Sequence, residues 1–142
     1  ALRERGHEVR LVGVRDDLQY LGRCLAEFGP DLVFNCVEAF HGNPGLEYLI
    51  PGMLEAEGYR YTGSPPLALL VSRNKAMSKK VLAYHGIRVP GFVTYRPGEA
   101  IAPADVRFPL IVKPLQSDAS AGIAQASVVN DAAALRNRSQ VT

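Results

Sequence analysis

Lys113 stands at the end of the apolar run "FPLIV" and opens "KPLQSDASAG" (113–122), a stretch built from a lysine, a proline, serines, an aspartate and a glycine. A lysine in that place has to carry its ammonium out of a sheet toward water or an anion. The small residues after it let backbone N–H groups approach an anion closely, and Ser117 and Ser120 add hydroxyl donors, with Gly122 closing the stretch. That chemistry suits phosphate. The plainer reading is a surface turn with a snorkelling lysine, although a simple hairpin would use fewer residues. Lys75 is a second candidate, because it opens a predicted helix where free backbone N–H groups favour an anion and a lysine opposes the helix dipole. Alone it reads as a solvated lysine, like Lys79 and Lys80; its weight comes from pairing with a second lysine-bearing loop.

A third group lies in "EAFHGNPGLE" (38–47), where Glu38, His41, Gly42 and Glu47 follow an apolar run. A carboxylate and a histidine there invite acid/base chemistry, while a solvated glutamate and a structural histidine are the simpler account. Other chemistries lack their signatures. There is no G-x-x-x-x-G-K-[ST] loop, no G-x-G-x-x-G after the first strand and no G-x-S-x-G nucleophile elbow. Cys24 and Cys36 are isolated thiols without metal-ligand spacing.

These residues need elements to position them. "HEVRLVGV" (7–14) and "DLVFNCV" (31–37) read as strands around a helix at 17–29, a parallel βαβ unit with a right-handed crossover and a sheet covered on both faces. Ligands of such sheets gather beyond the strands' C-terminal ends, where 38–47 falls. "LEYLIPGMLEAEG" reads as a helix; Ser64 caps a short one with Pro65 at N1, and Asn74 or Ser72 caps another that stops at Gly86. From residue 87 onward the texture becomes proline-punctuated strands, and "RFPLIVKP" and "GIAQASVV" are two strands joined by the lysine loop. "NDAAALRNRSQVT" is a capped helix whose apolar side fades after Leu135. The boundary between two domains falls near residue 73.

The totals fit a globular chain: 142 residues, 47% hydrophobic and 21% charged. The net charge of +2 comes from 16 basic and 14 acidic residues mixed along the length, so no basic stripe argues for nucleic acid or a membrane surface. The unpaired cysteines and the absence of a signal-peptide layout in "ALRERGHEV" point to a reduced, cytoplasmic setting.

In order and spacing, "DLVFNCVEAFHGNPGLEYLIPGMLEAEGYRYTGS", "NKAMSKKVLAYHGIRVP" and "FPLIVKPLQSDASAGI" resemble the N-terminal and early central parts of the ATP-grasp family, in particular its D-alanine:D-alanine ligase group. The resemblance implies an α/β protein. Residues 1–73 would form a Rossmann-like, parallel-sheet pre-ATP-grasp domain lacking its first strand, and residues 74–142 the first, incomplete α+β lobe of an ATP-grasp domain. It also implies an ATP-dependent carboxylate–amine ligase, in which ATP phosphorylates a carboxylate and an amine displaces phosphate from the acyl phosphate. By position, Lys75 and Lys113 correspond to the lysines that contact ATP phosphates, and Ser117, Ser120 and Gly122 to the loop that closes over them. Glu38, His41, Gly42 and Glu47 fall in a segment similar to the one that borders the family's substrate pocket, which implies an amino acid or small peptide as substrate. Mg²⁺ ligands are expected outside this chain, so on its own it should bind ATP weakly at most and turn nothing over. Ligases of this kind are often homodimers. Two departures stand out: Ser117 where relatives commonly carry glutamate, and Ala119 before Ser120 where the ligases have two serines. They leave open a module that binds nucleotide or a partner without catalysis.

Overall fold

A computed structural model of the chain describes residues 1–96, 99, 106–117 and 122–139. The chain divides into two units, Ala1–Leu70 and Val71–Thr142.

In the first unit, Asp17 starts helix α1 (Leu18–Phe28): its backbone is extended and its carboxylate accepts the Tyr20 N–H at 2.8 Å. Gly29 ends the helix in the left-handed conformation at φ 60°, its N–H donating to Leu25 O at 2.8 Å. Leu21, Cys24 and Leu25 recur at helical spacing and are buried. Leu21 and Leu25 form a core with Phe40 and with Ile50 and Leu54 of helix α2 (Leu49–Ala56). Where the helices approach, a Cβ on Gly22 would meet Met53 Cε, the end of a flexible side chain, at 3.1 Å.

The two predicted strands flank α1 but make little sheet. Val12, Val14, Val33 and Val37 face the core, as period-two alternation requires. The only parallel pairing among the described residues of this unit is a bridge between Val33 and Tyr61, held by Val33 N–H to Arg60 O at 2.8 Å and Thr62 N–H to Val33 O at 3.0 Å. Beyond it side chains replace the ladder: Thr62 Oγ1 accepts the Asn35 N–H and Asn35 Oδ1 accepts the Val37 N–H, both at 3.1 Å. An extended Rossmann-like sheet is therefore not formed among these residues. Nor are both faces covered, because the alternate residues Leu11 and Phe34 are 86% and 66% exposed.

Helix α3 (Pro66–Arg73) begins one residue later than expected, and helix α4 (Lys75–Tyr84) follows at once with Asn74 as its cap. The Ser78 hydroxyl donates toward Val71 O at 2.7 Å, tying the turn between them. In the second unit strands β1 (Leu110–Ile111) and β2 (Val128–Val129) pair antiparallel, Leu110 opposite Val129 and Ile111 opposite Val128. The expected strand at 122–129 is short because residues 125–127 form a 3₁₀ turn, with Ser127 N–H bonded to Ala124 O at 2.9 Å. Helix α5 (Ala132–Ser139) starts at Asp131, whose carboxylate accepts the N–H groups of Ala133 and Ala134. It contributes Leu135 to a core with Val112 and Val129.

Candidate functional site

The loop that opens at Lys113 is built on β1 and β2. Val112 is buried and its N–H donates to Ser127 O at 2.8 Å, which fixes the end of the first strand against the second. Lys113 follows with its side chain exposed and in no ion pair among the described residues. The two arms of the loop meet just beyond it. Gly122 has φ 73°, and a Cβ on it would lie 2.8 Å from Pro114 Cγ, so this position requires glycine for both backbone conformation and space. Ser120 lies outside the described residues.

Lys75 reaches the same loop from α4. Its backbone N–H donates to Leu115 O at 3.2 Å and its ammonium donates to Ser117 O, two contacts that hold the outgoing arm against the start of the helix. Asn74 orients this turn, since its Oδ1 accepts the N–H groups of Ala76 and Met77 at 3.1 and 3.0 Å. The expectation of free N–H groups at this helix start is thereby corrected. Those of residues 75, 76 and 77 all have protein acceptors, so an anion near Lys75 meets the ammonium rather than the backbone. Lys79 is also more than a solvated lysine, its ammonium lying 4.9 Å from the centre of the Phe92 ring.

In the first unit the loop 38–47 is a tight turn. Phe40 and Asn43 exchange backbone hydrogen bonds at 3.2 and 2.9 Å, and the two residues between them, His41 and Gly42, have φ of 54° and 67°. Positive φ at both central positions is the I′ pattern of a two-residue hairpin loop. Phe40 is buried in the core, while His41 is exposed, packs edge-on against the Phe40 ring at 4.9 Å, and donates its N–H to Arg15 O at 2.8 Å. Asn43 Oδ1 accepts the Gly45 N–H at 2.8 Å and starts a 3₁₀ turn over Pro44–Leu46. Glu38 is exposed and Glu47 partly buried. His41 is thus held by its backbone, with no carboxylate bonded to its ring among the described residues. No group of three or more His, Cys, Asp or Glu able to hold a metal occurs among them, and no helix there is long and apolar enough to cross a membrane.

Sequence reasoning missed Arg138 and Ser127. Arg138 donates to Gly122 O and, at 3.0 Å, to the fully buried Ser127 Oγ, which also accepts the Ala124 N–H at 3.0 Å. Only an apolar-to-polar change along α5 marks this arginine, and nothing local distinguishes the serine.

No family model matches the chain. Curated relatives do. A D-alanine–D-alanine ligase of Syntrophotalea carbinolica is 36% identical over 131 residues, 92% of this chain and 40% of the relative. Those of Sphingopyxis alaskensis and Cereibacter sphaeroides are 33% and 38% identical, each over 87% of this chain and 38% of the relative. The chain therefore spans about two-fifths of the length of the relatives it matches. Over 87% or more of its own length the chain is similar in sequence to these D-alanine–D-alanine ligases.

Proposed function

We propose that this chain carries part of the phosphate-holding apparatus of an ATP-dependent carboxylate–amine ligase that forms a peptide-type bond through an acyl phosphate. Its boundary near residue 73 would separate a pre-ATP-grasp domain from the first portion of an ATP-grasp domain. The observation that carries the reading is the meeting of Lys75 with Ser117 at the mouth of the loop that Lys113 opens. An ammonium has three donors, so Lys75 can keep the Ser117 carbonyl and still offer N–H to a phosphate oxygen. Lys113, free of any ion pair among the described residues, supplies a second cation, and Ser117, Ser120 and Gly122 supply the loop. Two cations and a set of donors held in place before the substrate arrives are what a transferring phosphoryl group requires. Among the described residues no group of three or more His, Cys, Asp or Glu could hold Mg²⁺.

The names of the relatives point to D-alanine as both carboxylate and amine, and the loop 38–47, with Glu38, His41, Gly42 and Glu47, would border that site. The setting would be cytoplasmic and the assembly a homodimer. The test is release of ADP and phosphate by the full-length protein supplied with ATP, Mg²⁺ and D-alanine. Lys113→Ala should lower that turnover about 100- to 1,000-fold, the typical effect of removing a group that stabilises developing charge. Failure of the full-length protein to bind any nucleotide would sink the reading. The 142-residue chain alone should bind ATP weakly and release no ADP. A second reading, a scaffold that binds nucleotide or a partner without turnover, is favoured by Ser117 presenting only its carbonyl to Lys75. Retained ATP binding with no ADP release from the full-length protein would select it.

A further inference from the structure

The returning arm of the loop is held from a place that the phosphate-binding pattern does not include. Gly122 leaves the loop in a left-handed conformation, and the chain turns at Ala124–Ser127 before entering β2. That turn is closed by two bonds: Ser127 N–H to Ala124 O, and Ala124 N–H to Ser127 Oγ. The guanidinium of Arg138, in the last turn of α5, donates to both ends of this arm, to Gly122 O and to Ser127 Oγ. Ser127 Oγ is fully buried, so its acceptor capacity is satisfied by protein alone. A planar guanidinium can bond two acceptors at fixed separation, which a lysine ammonium on a flexible stem does less well.

We infer that Arg138 is a positioning residue: it fixes the returning arm of the loop, through Gly122 O and Ser127 Oγ, as Lys75 fixes the outgoing arm through Leu115 O and Ser117 O. The phosphate-facing loop is then suspended between two cations on two helices. Its consequence for nucleotide affinity rests on the ligase reading above, whereas its consequence for the arm itself does not.

Both are testable in the full-length protein. In Arg138→Gln, hydrogen exchange at the Ala124 and Ser127 amides should accelerate about tenfold or more, the loss expected for hydrogen bonds to a charged group. The α4 amides and the melting temperature measured by circular dichroism should hardly change. The Kd for ATP should weaken by a similar factor with D-alanine binding unaffected, and Arg138→Lys should fall between wild type and Arg138→Gln. A folded Arg138→Gln protein with unchanged exchange at Ala124 and Ser127 overturns the inference. Unchanged ATP affinity, in a protein whose wild type binds ATP, overturns it equally. If wild type binds no ATP, the ligase reading fails and the exchange rates alone decide. Should Arg138→Gln not fold, Arg138→Lys, which keeps the charge but not the planar fork, decides: faster Ala124 and Ser127 exchange with weakened ATP binding supports the inference, and wild-type values refute it.

Discussion

The two loops that carry the candidate residues are held in opposite ways. Residues 38–47 are fixed almost wholly from within: the Phe40–Asn43 bonds, the positive φ of His41 and Gly42 and the Asn43–Gly45 cap all span five residues or fewer, with one long tie to Arg15 O. The described arms of the second loop, 113–117 and Gly122, are held from outside, by Lys75 at a separation of 42 residues and by Arg138 at 16, with Pro114 packed on Gly122 where the arms meet. A turn closed mostly by its own backbone bonds leans less on distant polar groups for its shape. A suspended loop takes its shape from groups that a ligand can also engage, which suits it to respond to one.

The contrast can be broken by substitution. Gly122→Ala places a Cβ at positive φ and against the Pro114 ring, and should cost about 1–3 kcal/mol in a urea or thermal melt of the full-length protein. An unchanged midpoint would mean that the arms do not meet as described. His41→Gly should have a much smaller effect. The backbone is already left-handed there, so relief of the side-chain penalty, about 1 kcal/mol, is set against glycine's greater freedom when unfolded. Turnover near wild type would sharpen the comparison, and a hundredfold loss would make His41 an active group and erase it. The smallest effect is expected at a local tether in the first unit. The Tyr61 hydroxyl donates to Glu55 Oε1 at 2.6 Å, and this bond, ahead of burial and the carboxylate's charge, pushes the phenol from 10.0 up to about 12. The tether is complete below pH 10 and disappears as pH rises through about 12. Absorbance titration should show a tyrosine ionising at about 12 that Tyr61→Phe removes and Glu55→Gln returns toward the ordinary range.

Legibility followed the same division. The apolar spacing over 17–29 and the cap and stop signals at Asn74 and Gly86 act within a few residues, and α1 and α4 lie where they predict. The pairing of "RFPLIVKP" with "GIAQASVV" was also readable, because two short apolar runs flank one polar loop. The first-unit sheet was not. Its alternation is visible in sequence, but whether Asn35 N–H meets a backbone carbonyl or Thr62 Oγ1 depends on a partner 27 residues away. At the site, Lys75 and Lys113 could be chosen by type and place. The capture of Lys75 by Ser117 O, the occupied N–H groups of α4 and the role of Arg138 all depend on contacts between distant segments, which no local pattern encodes.

The uncovered face of the first unit bears on how such experiments are run. Leu11, Leu32 and Phe34 stand 86%, 51% and 66% exposed on the side turned away from the core. Dyes that fluoresce on apolar surfaces would bind these exposed side chains in the native state, giving the isolated chain a high starting signal and a shallow melt. A dye-based screen would score a well-folded protein as damaged. Replacing Phe34 with serine should lower that background while leaving the circular dichroism midpoint nearly in place, because Phe34 has little packing to lose.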